Sequence, residues 1–141
     1  MKKPWLILAL LFLPAMLTAC SYALDTTLFN NSGSAILVNW ASGNAIVAQS
    51  RSGRLSFANV PRGVRISSGG CDYQYEVPPE LDDYQADETL KRGIQIQVEK
   101  DFSVDLLPGS YAGNGPAPDN VILNHAGFPL RPVTKKCQPP S

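Results

Sequence analysis

Histidine occurs once among the 141 residues, at position 125, and cysteine only three times. No Cys-x-x-Cys pair and no Gly-x-Ser-x-Gly elbow is present, so zinc-ribbon, thioredoxin-type and serine-hydrolase chemistries start without their usual residues. An excess of one charge is missing as well, since 12 basic residues face 12 acidic ones. Setting aside Lys2 and Lys3 leaves ten against twelve, which argues against a basic nucleic-acid face, and no nucleic-acid partner is expected. Long apolar runs are lacking too. The uncharged stretch Pro4 to Ala19 covers 16 residues and contains Pro14, whereas a bilayer-spanning helix needs roughly 20. Convincing helical periodicity is absent from the rest of the chain, whose length suits about one domain.

What is present begins with address. Met1-Lys2-Lys3 is a short positive segment, Trp5 to Leu17 is apolar apart from Pro14, and Thr18-Ala19 brings small residues before Cys20. That three-part layout is a secretory signal. Two rivals are a retained membrane anchor, for which the run is short, and an ordinary secretory cut after Ala19.

The tetrapeptide Leu17-Thr18-Ala19-Cys20 resembles the lipobox of bacterial lipoproteins. The resemblance implies that Cys20 takes a diacylglyceryl group, that the leader is cut before it, and that the new amino terminus is acylated. Cysteine suits this step because it alone offers a soft thiolate nucleophile. Each buried methylene contributes about 0.8 kcal/mol, so two or three chains hold firmly where one binds reversibly. Ser21, where aspartate would favour inner-membrane retention, implies delivery to the outer membrane of a two-membrane cell. The expected organisation is a removed signal over 1–19, a lipidated terminus and tether over 20–23, and a single β domain over 24–141. Three tether residues reach little more than about 10 Å, so the domain is expected against the headgroups.

With Cys20 consumed by lipid, Cys71 and Cys137 form an even pair in an oxidising compartment, and a structural disulfide follows. Closing so long a loop stabilises by about 4 kcal/mol in the chain-entropy picture. It should staple the C-terminal tail to a sheet.

Period-two alternation recurs along the chain. Leu24 to Asn30 reads as a strand. Ile36, Val38 and Trp40 share a face, Gly43-Asn44 reads as the turn after them, and Cys71, Tyr73, Tyr75 and Val77 alternate with Asp72, Gln74 and Glu76. The clearest hairpin pairs Ile94-Gln-Ile-Gln-Val98 with Phe102, Val104 and Leu106 about a Lys100-Asp101 turn, its polar side expected to be wet. The fold class is therefore all-β: a small antiparallel sandwich or partly open barrel of seven or eight strands with one disulfide.

Two segments interrupt the pattern. Glu80 to Arg92 carries Glu80, Asp82, Asp83, Asp87 and Glu88 without the Asp-x-Asp-x-Asp-Gly order of a calcium loop, and reads as a solvated acidic loop or short helix. Pro108 to Asn120, with three prolines and three glycines around Tyr111, reads as a long loop. Asp82, Asp83, Tyr84 and Tyr111 are the candidate partner contacts, since loops carry recognition. Trp40, Phe57, Tyr73 and Tyr75 are expected inside. Arg51, Arg54, Arg62 and Arg65 read as arginines on wet strand faces, with a juxtamembrane patch as the alternative. His125 reads as a loop histidine bonded to backbone, because nothing near it in the sequence supplies a side-chain partner.

The expected protein is a lipid-anchored, periplasm-facing outer-membrane accessory that binds an envelope protein, with no catalytic residues, metal or cofactor. An inhibitor or immunity-type protein that blocks an envelope hydrolase is the alternative, and a hydrolase using His125 is the weakest reading.

Overall fold

The structure, a computed structural model, describes residues 23–139. The segment expected to be a signal, the lipobox-like Leu17-Thr18-Ala19-Cys20 and Ser21 lie outside the described residues. Nine strands form: β1 (Leu24–Asn30), β2 (Ile36–Trp40), β3 (Gly43–Val47), β4 (Ser52–Phe57), β5 (Gly63–Ser68), β6 (Cys71–Glu76), β7 (Ile94–Val98), β8 (Val104–Leu107) and β9 (Thr134–Cys137). Two single turns of 3-10 helix, Pro79–Asp83 and Asp119–Val121, complete the elements.

The strands build a four-stranded sheet, β4-β1-β7-β8, and a five-stranded one, β3-β2-β5-β6-β9. An all-β sandwich is therefore the architecture, with nine strands among the described residues where seven or eight were expected. The pairings are antiparallel except that β1 runs parallel to β7. That exception follows from the path, because the chain leaves β1, builds four strands of the other sheet, and returns to the neighbour of β1 from the same end. Parallel neighbours require such a long crossover.

Alternation places Leu24, Leu28, Leu55, Phe57, Ile94 and Val98 of one sheet against Ile36, Val38, Ile66, Tyr73 and Tyr75 of the other, all buried. Tyr75 solves the polarity of its own tip by donating its hydroxyl to the Phe102 carbonyl at 2.7 Å, and burial raises its pKa. Phe102 departs from expectation. Strand β8 begins only at Val104, and Phe102 lies in the preceding turn with φ +61°, a left-handed conformation uncommon for a bulky side chain. Its ring stacks on Tyr73 across the sandwich, centroids 3.9 Å apart, which together with the Tyr75 bond holds it there.

The β2–β3 turn also moves. Trp40 pairs with Gly43, so Ala41-Ser42 is the turn and Gly43 belongs to the strand. Glycine suits that place because a Cβ there would sit 2.8 Å from the Trp40 ring.

Cys71 and Cys137 stand directly opposite each other in the β6–β9 ladder and are bonded. The tail is stapled to the sheet edge, as expected from the pairing of these two cysteines. The register further divides the sandwich into two ends. The proximal end holds the start of β1, the 41–42 turn and segment 77–93; the distal end holds turns 31–35, 48–51 and 99–103 and the disulfide.

Candidate functional site

The sheet face expected to be wet is partly covered. Phe29 and Leu107 project outward from the four-stranded sheet yet are 2% and 0% exposed, because loop 108–122 lays Tyr111, Ala117, Val121 and Ile122 over them. The glutamines of Ile-Gln-Ile-Gln-Val fasten this loop. Gln97 accepts from Ala117 N–H at 2.6 Å and donates to its carbonyl at 3.1 Å, a two-point clamp on one residue. Gln95 donates to the carbonyls of Gly109 and Tyr111 at 2.9 Å each. A segment of prolines and glycines is thus held by side-chain amides in place of a ladder. Tyr111, expected to point outward, is turned inward: its ring meets Phe29 edge-on at 5.2 Å and its hydroxyl donates to the Gly115 carbonyl at 2.8 Å.

The other irregular segment behaves differently. Only Leu81 and Leu90 of the 77–93 stretch are buried, and Asp82 and Asp83 are exposed. Asp82 accepts a two-pronged bond from Arg62 at 2.8 and 3.0 Å. This hydrogen bond and the carboxylate's charge raise the pKa of the guanidinium, though so exposed a pair orders the surface more than it stabilises it. Tyr84, half-buried, joins Leu24, Val60, Arg62 and Asp82 around an open cleft of about 330 Å³ at the proximal end. The structure therefore gathers Asp82 and Tyr84, leaves Asp83 in solvent beside them, and sets Tyr111 elsewhere.

His125 has a side-chain partner after all. Its Nε2 lies 3.1 Å from Asp87 Oδ2, and its Nδ1 is 3.0 Å from the Ala126 carbonyl. Asp87, held also by the Thr89 backbone N–H at 2.8 Å and the Thr89 hydroxyl, has its pKa lowered, chiefly by Thr89 and less by His125. The pair stands 38 positions apart in the chain, which is why local sequence could not supply the acid. Neither ring nitrogen is bonded to a hydroxyl or thiol among the described residues.

The four arginines do not converge. Arg51 is in a distal turn, Arg54 pairs with Thr27 on the four-stranded sheet, Arg65 lies between Asn39 and Gln74 on the other sheet, and Arg62 is proximal with Asp82. A single juxtamembrane patch of these residues is not formed.

Between the sheets lies an entirely apolar cavity of about 60 Å³, bordered by Leu28, Val38, Ile66, Val104 and their neighbours. A cavity that binds benzene is on the order of 150 Å³, so this one is a packing defect rather than a ligand pocket.

The most chemically distinctive surface is one that pattern reading missed. At the distal end an open cleft of about 450 Å³ is lined by Asn31, Glu99, Lys100, Asp101, Ser103, Asp105, Asp119 and Ile122. Two of its carboxylates are committed. Glu99 accepts from Asn31 Nδ2 at 2.6 Å and from Gln97. Asp101 accepts from Ser103 N–H at 2.9 Å and from its hydroxyl, lies 3.5 Å from Arg131, and has its pKa lowered, mainly by Ser103. Asp105, on the outward side of β8, is 9% exposed and has no hydrogen bond or ion pair among the described residues. Burial raises its pKa first, with Glu99, Asp101 and Asp119 adding to the shift. No three acidic, histidine or cysteine side chains among the described residues converge in an arrangement that holds a metal ion. The only legible signal was the acidic Asp105 on a strand face opposite Val104 and Leu106.

Fold and geometry together define a disulfide-bonded two-sheet β-sandwich with a clamped loop on one face and an acidic cleft at one end. Protein-family models, curated proteins and solved structures contain no match to the chain.

Proposed function

We propose that this chain is an exported, lipid-anchored protein of the cell envelope that works as a non-enzymatic binding accessory on the periplasmic side of the outer membrane. The observation that carries the reading is Leu17-Thr18-Ala19-Cys20 placed four residues before the first strand residue, Leu24. With so short a link, a lipid on Cys20 would turn the proximal end towards the leaflet and leave the distal end free for partners. The distribution of charge does not contribute to that orientation. Acidic segment 77–93 is a poor surface for adsorbing to anionic headgroups on its own, so attachment would rest on the acyl chains.

Mass spectrometry of the N-terminal peptide tests this directly. The expected product begins at Cys20 and carries the mass of a diacylglyceryl group and one further acyl chain, and the protein enters the detergent phase on extraction. An N-terminal peptide that starts elsewhere, or a protein wholly in the aqueous phase, would remove the anchored reading.

A second reading, a protein that blocks an envelope hydrolase, is favoured by one feature: loop 108–122 is rigidified by Gln95 and Gln97 before any partner arrives. Preorganisation of that kind lowers the ordering cost of binding. Inhibition assays against lysozymes and amidases separate the two readings, since an accessory leaves their rates unchanged.

A further inference from the structure

We infer that the distal cleft is a docking site for an arginine side chain of a basic polypeptide, with Asp105 as its buried anchor. The inference rests on the binding reading above and names the partner's chemistry. Four carboxylates, Glu99, Asp101, Asp105 and Asp119, face Lys100 inside the cleft and Arg131 at its border, so the site keeps a negative surplus.

Asp105 separates this cleft from an ordinary acidic surface. As a residue Asp105 is 9% exposed, and its carboxylate oxygens open only towards the cleft; a carboxylate so enclosed normally accepts hydrogen bonds from the protein around it. Glu99 and Asp101 satisfy that rule within the protein; Asp105 does not, although it lines the open cleft and is reachable from solvent. Its acceptor positions are therefore vacant towards a ligand. A guanidinium fits the vacancy better than the alternatives. It is planar, presents paired N–H donors to a carboxylate, and is more weakly hydrated than an ammonium group. A bare divalent ion fits poorly, since the carboxylates do not converge.

The fold adds two supports. Asn31 and Gln97 hold Glu99, and Ser103 holds Asp101, so the rim is preformed. The cleft also borders the Gln97 clamp of loop 108–122, which supplies Asp119 and Ile122 to its wall. A partner strand or loop bearing an arginine would then meet a fixed concave surface at the end away from β1's start.

The test uses the full chain, in detergent where it purifies with membranes, titrated by calorimetry with tetra-arginine, tetra-lysine and magnesium or calcium chloride. Tetra-arginine is expected to bind with 1:1 stoichiometry and more tightly than tetra-lysine. Asp105→Asn should weaken it at least about fivefold, as expected for a desolvated charge pair. Asp83→Asn, in the other acidic segment, should change it less than about twofold, as for a screened surface charge. A melting curve completes the set: Asp105→Asn should melt no lower than the parent at neutral pH, because its carboxylate has no internal partner to lose. Equal weakening by Asp83→Asn, unchanged binding by Asp105→Asn, tetra-lysine as tight as tetra-arginine, saturable binding of the divalent ion at Asp105, or a lowered melting temperature of Asp105→Asn would each overturn the inference. Lipidation at Cys20 is read separately, so an anchored chain that ignores tetra-arginine loses this inference alone.

Discussion

Segments 77–93 and 108–122 look alike as interruptions of a strand pattern, yet the molecule orders them by opposite means. The first is rich in charge, and holds on through two buried leucines, the exposed Arg62–Asp82 ion pair and the half-buried His125–Asp87 contact. The second has almost no charge, and is clamped along its backbone by Gln95 and Gln97 from beneath. The lesson is that a loop's own composition says little about its rigidity. What matters is whether the surface under it offers donors and acceptors at the right heights to satisfy its main chain.

That contrast can be broken one loop at a time. The largest effect should come from Leu90→Ala, which removes a 1% exposed side chain and should cost about 3 kcal/mol in denaturant unfolding. Amide exchange should quicken throughout 77–93 while the Ala117 amide stays protected. Gln97→Ala should cost about 2 kcal/mol, since it leaves a buried N–H and carbonyl of Ala117 unpaired, and should reverse the exchange pattern, freeing 108–122 and sparing 77–93. If either variant opens both segments together, the two loops are one cooperative unit and the contrast fails.

Smaller effects sharpen the comparison through pH, because each region holds an aspartate shifted in the opposite sense. Asp105, in the distal cleft beside loop 108–122, has a raised pKa, so the fold favours its protonated form. Its stabilising contribution is complete below the ordinary aspartate range and is lost as pH rises through the raised value. Asp105→Asn should therefore raise the melting temperature at neutral pH, with the gain fading on acidification. Asp87 in the acidic segment has a lowered pKa, so its contribution is complete above the ordinary range and disappears as pH falls through the depressed value. Asp87→Asn should lower the melting temperature slightly at neutral pH, and that loss should shrink in acid. Parallel melting series from neutral to acidic pH check both signs at once.

How far the residues announced this depends on the range of the interaction. Ile36 and Val38, Tyr73 and Tyr75, and Ile94 and Val98 were legible as inward faces, since successive side chains of a strand alternate wherever the strand goes. Gln97 and Asp105 were read as wet because the same alternation puts them on the outward face, which is correct. Alternation cannot foretell that residues 108–122 will return over that face, covering Gln97 and walling the cleft that Asp105 lines. Tyr111 was misplaced for the same reason, and the Asp87–His125 pair was hidden because its members stand 38 positions apart.

The amino-acid order alone determined the strand faces, and it supplied the expectation of an exported leader with a lipobox-like tetrapeptide and of one bond between Cys71 and Cys137. These depend on periods of two, on short contiguous motifs, or on parity. Only the tertiary structure decided which strands share a sheet, why β1 and β7 run parallel, and that Asn31, Glu99, Asp105 and Asp119 meet around one cleft. Those outcomes join positions far apart in the chain, and the free energy that selects among them resides in burial and hydrogen-bond satisfaction across the assembled sandwich, which no local window of sequence contains.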